Sequence, residues 1–150
     1  MSEIRFASRG ISRKDNDYFA MRFLVEILQN RFRAKVDAGL QNGVTVTHDR
    51  NFLPSVVFLK FSSRPIATEV NPMPWLKEPI TAAEFNQTRT KILAEIDGKP
   101  LVDKMLDTDT FKLVSVKSEM QKLNAVTQAD VQRVANKLSN QPFVNVMLKN

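Results

Sequence analysis

One stretch constrains the fold more than any other part of the chain: residues 12–48, in which a long amphipathic segment leads into an alternating one. It reads SRKDNDYFAMRFLVEILQNRFRAKVDAGLQNGVTVTH. Its apolar residues recur at spacings of three and four, as on one face of a helix: Phe19, Phe23, Leu24, Ile27, Leu28 and Phe32. We predict a helix over residues 14–35, with Ser12 and Asp15 as a capping box at its start and Gly39 as its stop.

Four short segments have the alternation of β-strands. Residues 3–9 precede the helix, and after an Asn-Gly turn the segments VTVTH and SVVFLKF predict a hairpin. The chain closes with PFVNVML, which predicts a final strand with inward side chains at Val144, Val146 and Leu148.

The second half of the chain is predicted to be helical after an extended, proline-rich surface segment, residues 64–79, which Trp75 anchors by packing. Capping boxes precede two helices: Thr81 with Glu84, and Thr127 with Asp130. Between them we predict a short helix over residues 101–106, a polar break at 107–110 and a helix over 111–123.

This order of elements, β-α-β-β-α(n)-β, is that of ferredoxin-like cores. We therefore predict an α+β fold, with a mostly antiparallel sheet and helices on one face. The length of 150 residues suits a single α+β domain over residues 1–150.

No residue pattern in the chain indicates a catalytic or metal site. His48 is the only histidine and there is no cysteine, whereas zinc-binding helix motifs need two histidines on one face. The four glycines form no phosphate-binding loop. The cluster of Asp103, Asp107 and Asp109 suggests either a cation site or helix capping, and it lacks the glycine and distal glutamate of a calcium loop.

The formal net charge of +6 raises the alternative of nucleic-acid binding. Basic residues exceed acidic ones by small margins throughout, which favours a solvated, mildly basic surface. Phe58 and Phe61 would face opposite sides of their strand, unlike the paired aromatics of RNA-reading sheets. No apolar run is long enough for a membrane span and no signal peptide is evident, so we expect a soluble domain in an unidentified compartment.

Taken together, the motifs resemble the non-catalytic half of insulinase-like (pitrilysin-type) zinc metallopeptidases. The similarity lies in the long helix, the Gly39-Leu40 pair and the hairpin, then PITAAEFNQTRTKILAEI from Pro79, and finally LNAVTQADVQRVANKL followed by PFVNVML. It extends over nearly the whole chain. The resemblance implies a mitochondrial-processing-peptidase-like half-domain, a fragment of a longer chain.

The resemblance also implies a function and partners. Such a half encloses an extended peptide substrate and dimerises with a homologous half that carries the zinc, so no cofactor is expected in this chain, although the parent protein would be a zinc metalloendopeptidase. Arg33 matches an arginine that reaches toward substrate, but the accompanying tyrosine would fall near Asn42, and the only tyrosine is Tyr18. Arg33 is therefore either a substrate contact or a surface cation at the helix end. A purely structural core-type subunit and a basic nucleic-acid-binding domain remain alternatives.

Overall fold

The computed structural model describes residues 2–63 and 70–148. In that part of the chain, strands and helices follow one another in the predicted order, with a short 3-10 turn at Gln41–Gly43. The elements are β1 (Ser2–Arg9), α1 (Tyr18–Lys35), β2 (Val44–His48), β3 (Val56–Ser63), α2 (Met73–Leu76), α3 (Ala82–Asp97), α4 (Leu101–Thr110), α5 (Val116–Ala125), α6 (Gln128–Ser139) and β4 (Val144–Leu148).

The strands form a four-stranded sheet in the order β2-β3-β1-β4. Each neighbouring pair is antiparallel, and the predicted hairpin is the β2–β3 pair. This is the strand order of a split β-α-β-β-α-β core. The predicted α+β class and ferredoxin-like core order are therefore confirmed.

The core lies between one face of the sheet and the helices. Side chains at alternate positions of β3 point into it, Val57, Leu59 and Phe61, while α1 contributes the predicted apolar stripe. Phe23, Leu24, Leu28 and Phe32 of that stripe are completely buried. Because α1 contacts β2 of the sheet and also the helices α3 and α6, this one helix joins the sheet to the helical layer.

The last strand has the opposite orientation to the one predicted. In an antiparallel pair, directly opposite residues share a face, and Val144 and Val146 lie opposite Ala7 and Arg5 of β1. Their exposed fractions are 65% and 46%, and that of Leu148 is 47%. The prediction that these three residues point inward was wrong, because pairing with β1 rather than alternation within β4 decides which face they occupy.

The start of α1 also differs from the prediction. The helix begins at Tyr18, and its N-cap Asp17 makes no side-chain capping bond. The Asp15 carboxylate instead accepts from the backbone N–H of Asp17 at 2.8 Å, within a turn that precedes the helix. The helix ends at Lys35 as predicted, but extended backbone at Val36 stops it rather than Gly39.

The predicted polar break at 107–110 is instead the last turn of α4. The chain breaks a few residues later, where Lys112 adopts a positive φ of 52° and Ser115 caps α5. The two predicted capping boxes, at Thr81 and at Thr127, are both confirmed.

Part of the proline-rich segment, residues 64–69, lies outside the described residues. The remainder contains the one-turn helix α2 where we predicted extended chain. Trp75 packs as predicted, with its ring centroid 5.8 Å from that of Phe32. None of the helices in the described ranges combines the length and hydrophobicity needed to cross a membrane.

A buried arginine joins α1 to this segment and to the start of α3. The Arg31 guanidinium donates to both carboxylate oxygens of Glu84, at 2.9 and 2.8 Å. It also donates to the backbone carbonyls of Trp75, Glu78 and Pro79 at 2.9 to 3.2 Å. All three nitrogens of one guanidinium are therefore used to hold an irregular segment against the helix.

The same carboxylate closes the capping box of α3, since Glu84 also accepts from the backbone N–H of Thr81 at 2.9 Å. Burial raises the pKa of Glu84, but the hydrogen bonds from Arg31 and Thr81 outweigh it and leave that pKa below its ordinary value. The ionised form is thus the one that stabilises the fold. This contribution is present above the unfolded-state pKa and is lost as the pH falls through the lower folded-state pKa.

Replacing Arg31 with methionine keeps much of the side-chain volume but removes every one of these donors. The Glu84 side chain is 29% exposed, so water restores part of its solvation. We expect the free energy of unfolding to fall by about 2–3 kcal/mol, less than for a fully buried pair. Urea denaturation measures the change. Arg33→Met is the matched control on the exposed face of the same helix, expected within about 0.5 kcal/mol of the parent protein; equal losses in the two variants would contradict this role of Arg31.

Candidate functional site

The predicted substrate-contact residue, Arg33, lies in the last turn of α1 with its side chain exposed. It makes no ion pair or hydrogen bond with any residue in the described ranges. The cations on either side behave differently: Arg31 is buried, and Lys35 pairs with Glu78 at 2.6 Å. Of the three cations at this helix end, Arg33 is thus the one that is exposed and has no ion-pair partner among the described residues.

Neither Tyr18 nor Asn42 places an aromatic hydroxyl group beside Arg33. Tyr18 lies at the opposite end of α1 and is buried, with its ring 4.3 Å from the Arg13 guanidinium carbon. Asn42 occupies the 3-10 turn before β2. Arg33 therefore stands without an aromatic hydroxyl beside it at the positions that the resemblance singles out.

The sheet has two edges, β2 and β4, and a side chain closes one of them. Gln29 of α1 donates to the carbonyl of Val44 at 2.8 Å, and its oxygen accepts from the N–H of Val46 at 2.7 Å. These are the backbone groups with which an added strand would pair. The edge of β2 is therefore blocked at its centre.

The other edge is open. On one side β4 pairs with β1, and on its other side it has no strand among the described residues. All of its side chains are exposed, Val144 and Val146 among them. Such an edge presents backbone N–H and C=O groups to an extended peptide. Of the two edges, β4 is the one that can add a strand.

The sheet face beside this edge is both apolar and basic. Phe58 lies next to Ala7, which lies next to Val144, so an apolar row crosses three strands. The neighbouring row contains Lys60 and Arg5. Phe58 is exposed whereas Phe61 is buried, so they occupy opposite faces as predicted.

His48 is a structural residue here. Its Nε2 lies 3.1 Å from both the backbone N and O of Ile11. A Cβ at Gly10 would lie 2.5 Å from the His48 ring, so this close approach requires glycine. Burial lowers the pKa of His48, against smaller opposing effects of the contact with Ile11 and of the Asp49 charge. The neutral ring thus joins the end of β2 to the chain that follows β1.

The aspartates suspected of binding a cation are engaged separately. Asp107 pairs with Arg13 and Arg50, both at 2.8 Å, and Asp109 lies 3.5 Å from Lys112. Asp103 is in the first turn of α4. Within the described residues no group of three or more histidine, cysteine, aspartate or glutamate side chains is arranged to hold a metal ion.

The structure also assigns a role that the sequence prediction missed. Arg13 is almost completely buried and binds Glu119 as well as Asp107, each at 2.8 Å. It attaches the turn before α1 to α4 and α5. The only sequence signal was a charged residue just ahead of an apolar stripe, which does not distinguish a buried arginine from an exposed one.

No known family model matches this chain. No curated protein matches its sequence either. Many solved structures share its fold, and three of them are given as examples. They are the peptidase M16 inactive domain from Pseudomonas fluorescens (17% identity, TM-score 0.73, 97% of this chain and 40% of that one), a protease from Helicobacter pylori (16%, 0.76, 99% and 41%), and an inactive peptidase domain from Bordetella parapertussis (13%, 0.69, 99% and 91%).

The chain thus spans about 40% of the Pseudomonas and Helicobacter structures and most of the Bordetella domain. At these identities the likeness establishes the fold. The chain has the fold of the inactive, insulinase-like half-domains, which confirms at that level the resemblance drawn from its sequence.

The environment of His48 predicts a dependence of stability on pH. Because its pKa is lower in the folded state than in the unfolded state, the unfolded chain takes up the proton first, and stability is lost as the pH falls through about 6.5. We expect the free energy of unfolding, measured in urea, to decrease between about pH 7.5 and about pH 5, above the ordinary range of carboxyl groups. His48→Gln keeps a hydrogen-bonding side chain that does not titrate, so its curve should be flatter over this interval. An equally steep decrease in the variant would assign the effect to other groups.

Proposed function

We propose that this chain is the non-catalytic half of an insulinase-like zinc metallopeptidase. In this proposal it forms one wall around a peptide substrate and packs against a homologous half that carries the zinc. The observation that supports it is the coverage of the structural matches: nearly all of this chain aligns with less than half of two longer proteins, and with most of an inactive domain. A unit of this size is therefore one part of a larger assembly in the proteins it resembles.

In this proposal the chemistry belongs to the other half. Zinc, the attacking water and the glutamate that accepts its proton are supplied there, and together they provide metal-assisted hydrolysis. The residues of this chain bind and orient the peptide. The backbone of β4 offers a strand edge, and the exposed guanidinium of Arg33 offers a cation for a substrate carboxylate or carbonyl.

Peptide binding at β4 is tested by titrating an extended peptide against the isotopically labelled chain. We expect weak binding with amide shift changes in β4 and none in β2, whose edge Gln29 occupies. A control peptide has the same sequence but carries methyl groups on alternate backbone nitrogens. It keeps its side chains and loses the hydrogen-bond donors along one of its two edges, so it should bind more weakly when that edge faces β4. Both alternate methylation patterns are made, because either edge of the peptide can pair. Shifts in β2, or equal affinity for all three peptides, would contradict strand addition at β4.

Arg33 is tested in the complex of this chain with its zinc-bearing half. Arg33→Ala should lower kcat/KM for peptide cleavage by about tenfold, the loss expected for one charge-assisted hydrogen bond. The free energy of unfolding should stay unchanged, because the side chain has no partner in the described residues. Lys117→Ala, which removes an exposed cation of α5 away from the β4 edge, is the control and should keep full activity. Equal activity of the parent complex and Arg33→Ala would show that Arg33 is only a surface cation.

The assignment as a whole is tested on the natural gene product, by its intact mass and its zinc content. We expect either a mass well above that of this 17.1 kDa chain with bound zinc, or a separate zinc-bearing subunit that copurifies with it. The isolated chain should cleave no peptide. Metal-dependent cleavage by the purified chain alone would contradict the proposal.

One observation favours a second candidate, a structural subunit that has the half-domain fold but takes no part in proteolysis. Neither Tyr18 nor Asn42 puts an aromatic hydroxyl near Arg33. Under this alternative the copurifying complex forms tightly, and neither extended peptides nor substitution of Arg33 has an effect.

A further inference from the structure

An open cavity of about 460 Å³ lies where the start of α1 meets the end of α3, α4 and the start of α5. It is lined neither by Arg33 nor by β4, so it is separate from the peptide-binding features described above. Its volume falls within the range of small-molecule sites. The charge and hydrophobicity of the lining side chains indicate what kind of small molecule the cavity suits.

Five basic and three acidic side chains line the cavity. Two of the carboxylates are already committed: Glu119 binds Arg13, and Asp107 is shared between Arg13 and Arg50, each contact at 2.8 Å. The positive charge of the buried Arg13 is therefore balanced by these two carboxylates. The other charged groups decide what the cavity attracts.

Three of those groups are cations, Arg22, Lys99 and Lys104, and one is an acid, Asp103. Neither lysine has an ion-pair partner in the described ranges. Arg22 contacts Glu95 at 3.3 Å, and both side chains are partly exposed, so that pair contributes little. The cavity thus carries an excess of positive charge.

The pKa of Lys99 is shifted downward, as expected where a lysine is partly buried and positive charges are in excess. Burial lowers its pKa first, and the charges of Arg22 and Arg50 lower it further, against the opposing effects of Asp107 and Glu95. A bound anion would offset the unfavourable charges around this ammonium group.

Apolar side chains line the cavity as well. Phe19 and Ile96 belong to the buried core, and the Arg13 guanidinium carbon lies 5.1 Å from the Phe19 ring centroid, while Phe111 and Met120 are partly exposed. Aromatic and methionine side chains accept flat apolar groups well. The cavity thus combines cations that suit an anion with apolar side chains that suit a ring or chain.

We propose that this cavity binds a small carboxylate with an apolar body, with its carboxylate beside Lys99 and Arg22 and its apolar part against Phe19, Ile96 and Met120. This site does not depend on the proposed peptidase role, since it uses other residues and needs no second subunit.

The test is a titration of the whole chain with naphthaleneacetate, followed by amide NMR. We expect saturable binding with shift changes at the start of α1, the end of α3, α4 and α5. Two matched compounds separate the contributions: acetate has the charge without the ring, and naphthaleneacetamide has the ring without the charge. Each should bind at least about tenfold more weakly than naphthaleneacetate.

Substitutions then locate the site. Lys99→Gln and Arg22→Gln, at partly exposed positions, should each weaken naphthaleneacetate binding by about tenfold while the spectrum stays folded. Lys77→Gln removes an exposed lysine outside the cavity and should leave the affinity unchanged. The proposal is overturned if no saturable binding occurs, if the amide binds as tightly as the acid, or if the three variants bind alike.

Discussion

The burial of α1 against the sheet is the interaction on which the rest of this structure depends. It packs on β2 and reaches β3 through the contact of Phe32 with Phe61, and it also contacts α3 and α6. Burying a side chain as large as leucine or phenylalanine contributes about 1.5–3 kcal/mol, so this one stripe supplies much of the hydrophobic stabilisation. The polar features are arranged around the same helix. Arg13 attaches α4 and α5 just before its start, Gln29 binds the β2 edge from its middle, and Arg31 holds the proline-rich segment near its end.

The features that sequence predicted correctly are those with local causes. Thr81 and Glu84 make their capping box within one helical turn, as do Thr127 and Asp130, so the pattern alone contains the interaction. The hairpin follows from two alternating segments and a short connection. The order of these elements then restricts the sheet to a few topologies, and the ferredoxin-like one is found.

Several features that were predicted wrongly or missed depend on partners distant in sequence. Val144 and Val146 alternate as an inward-facing strand would, but the register with β1 places them outward. The turn before α1 is fastened to Glu119, more than a hundred residues away, which no local pattern can reveal. Arg31 lies on the apolar stripe four residues after Ile27, a position that suggests burial. Its hydrogen-bond partners, however, lie within and just after the proline-rich segment, more than forty residues later in the sequence. For the candidate site, the sequence suggested Arg33 through resemblance alone, whereas the difference between the two sheet edges depends on the contact of Gln29 with β2.

That difference has a consequence for association between copies of the described fold. A sheet with two free edges can take a neighbour on each side, and repetition of that contact builds an open-ended fibre. Here Gln29 blocks one edge, so pairing through strands can use β4 alone. In a pair joined β4 to β4, neither copy would have an open edge left, so no third copy could be added by strand pairing. By occupying the β2 edge, the Gln29 side chain would limit any strand-mediated assembly of this fold to pairs.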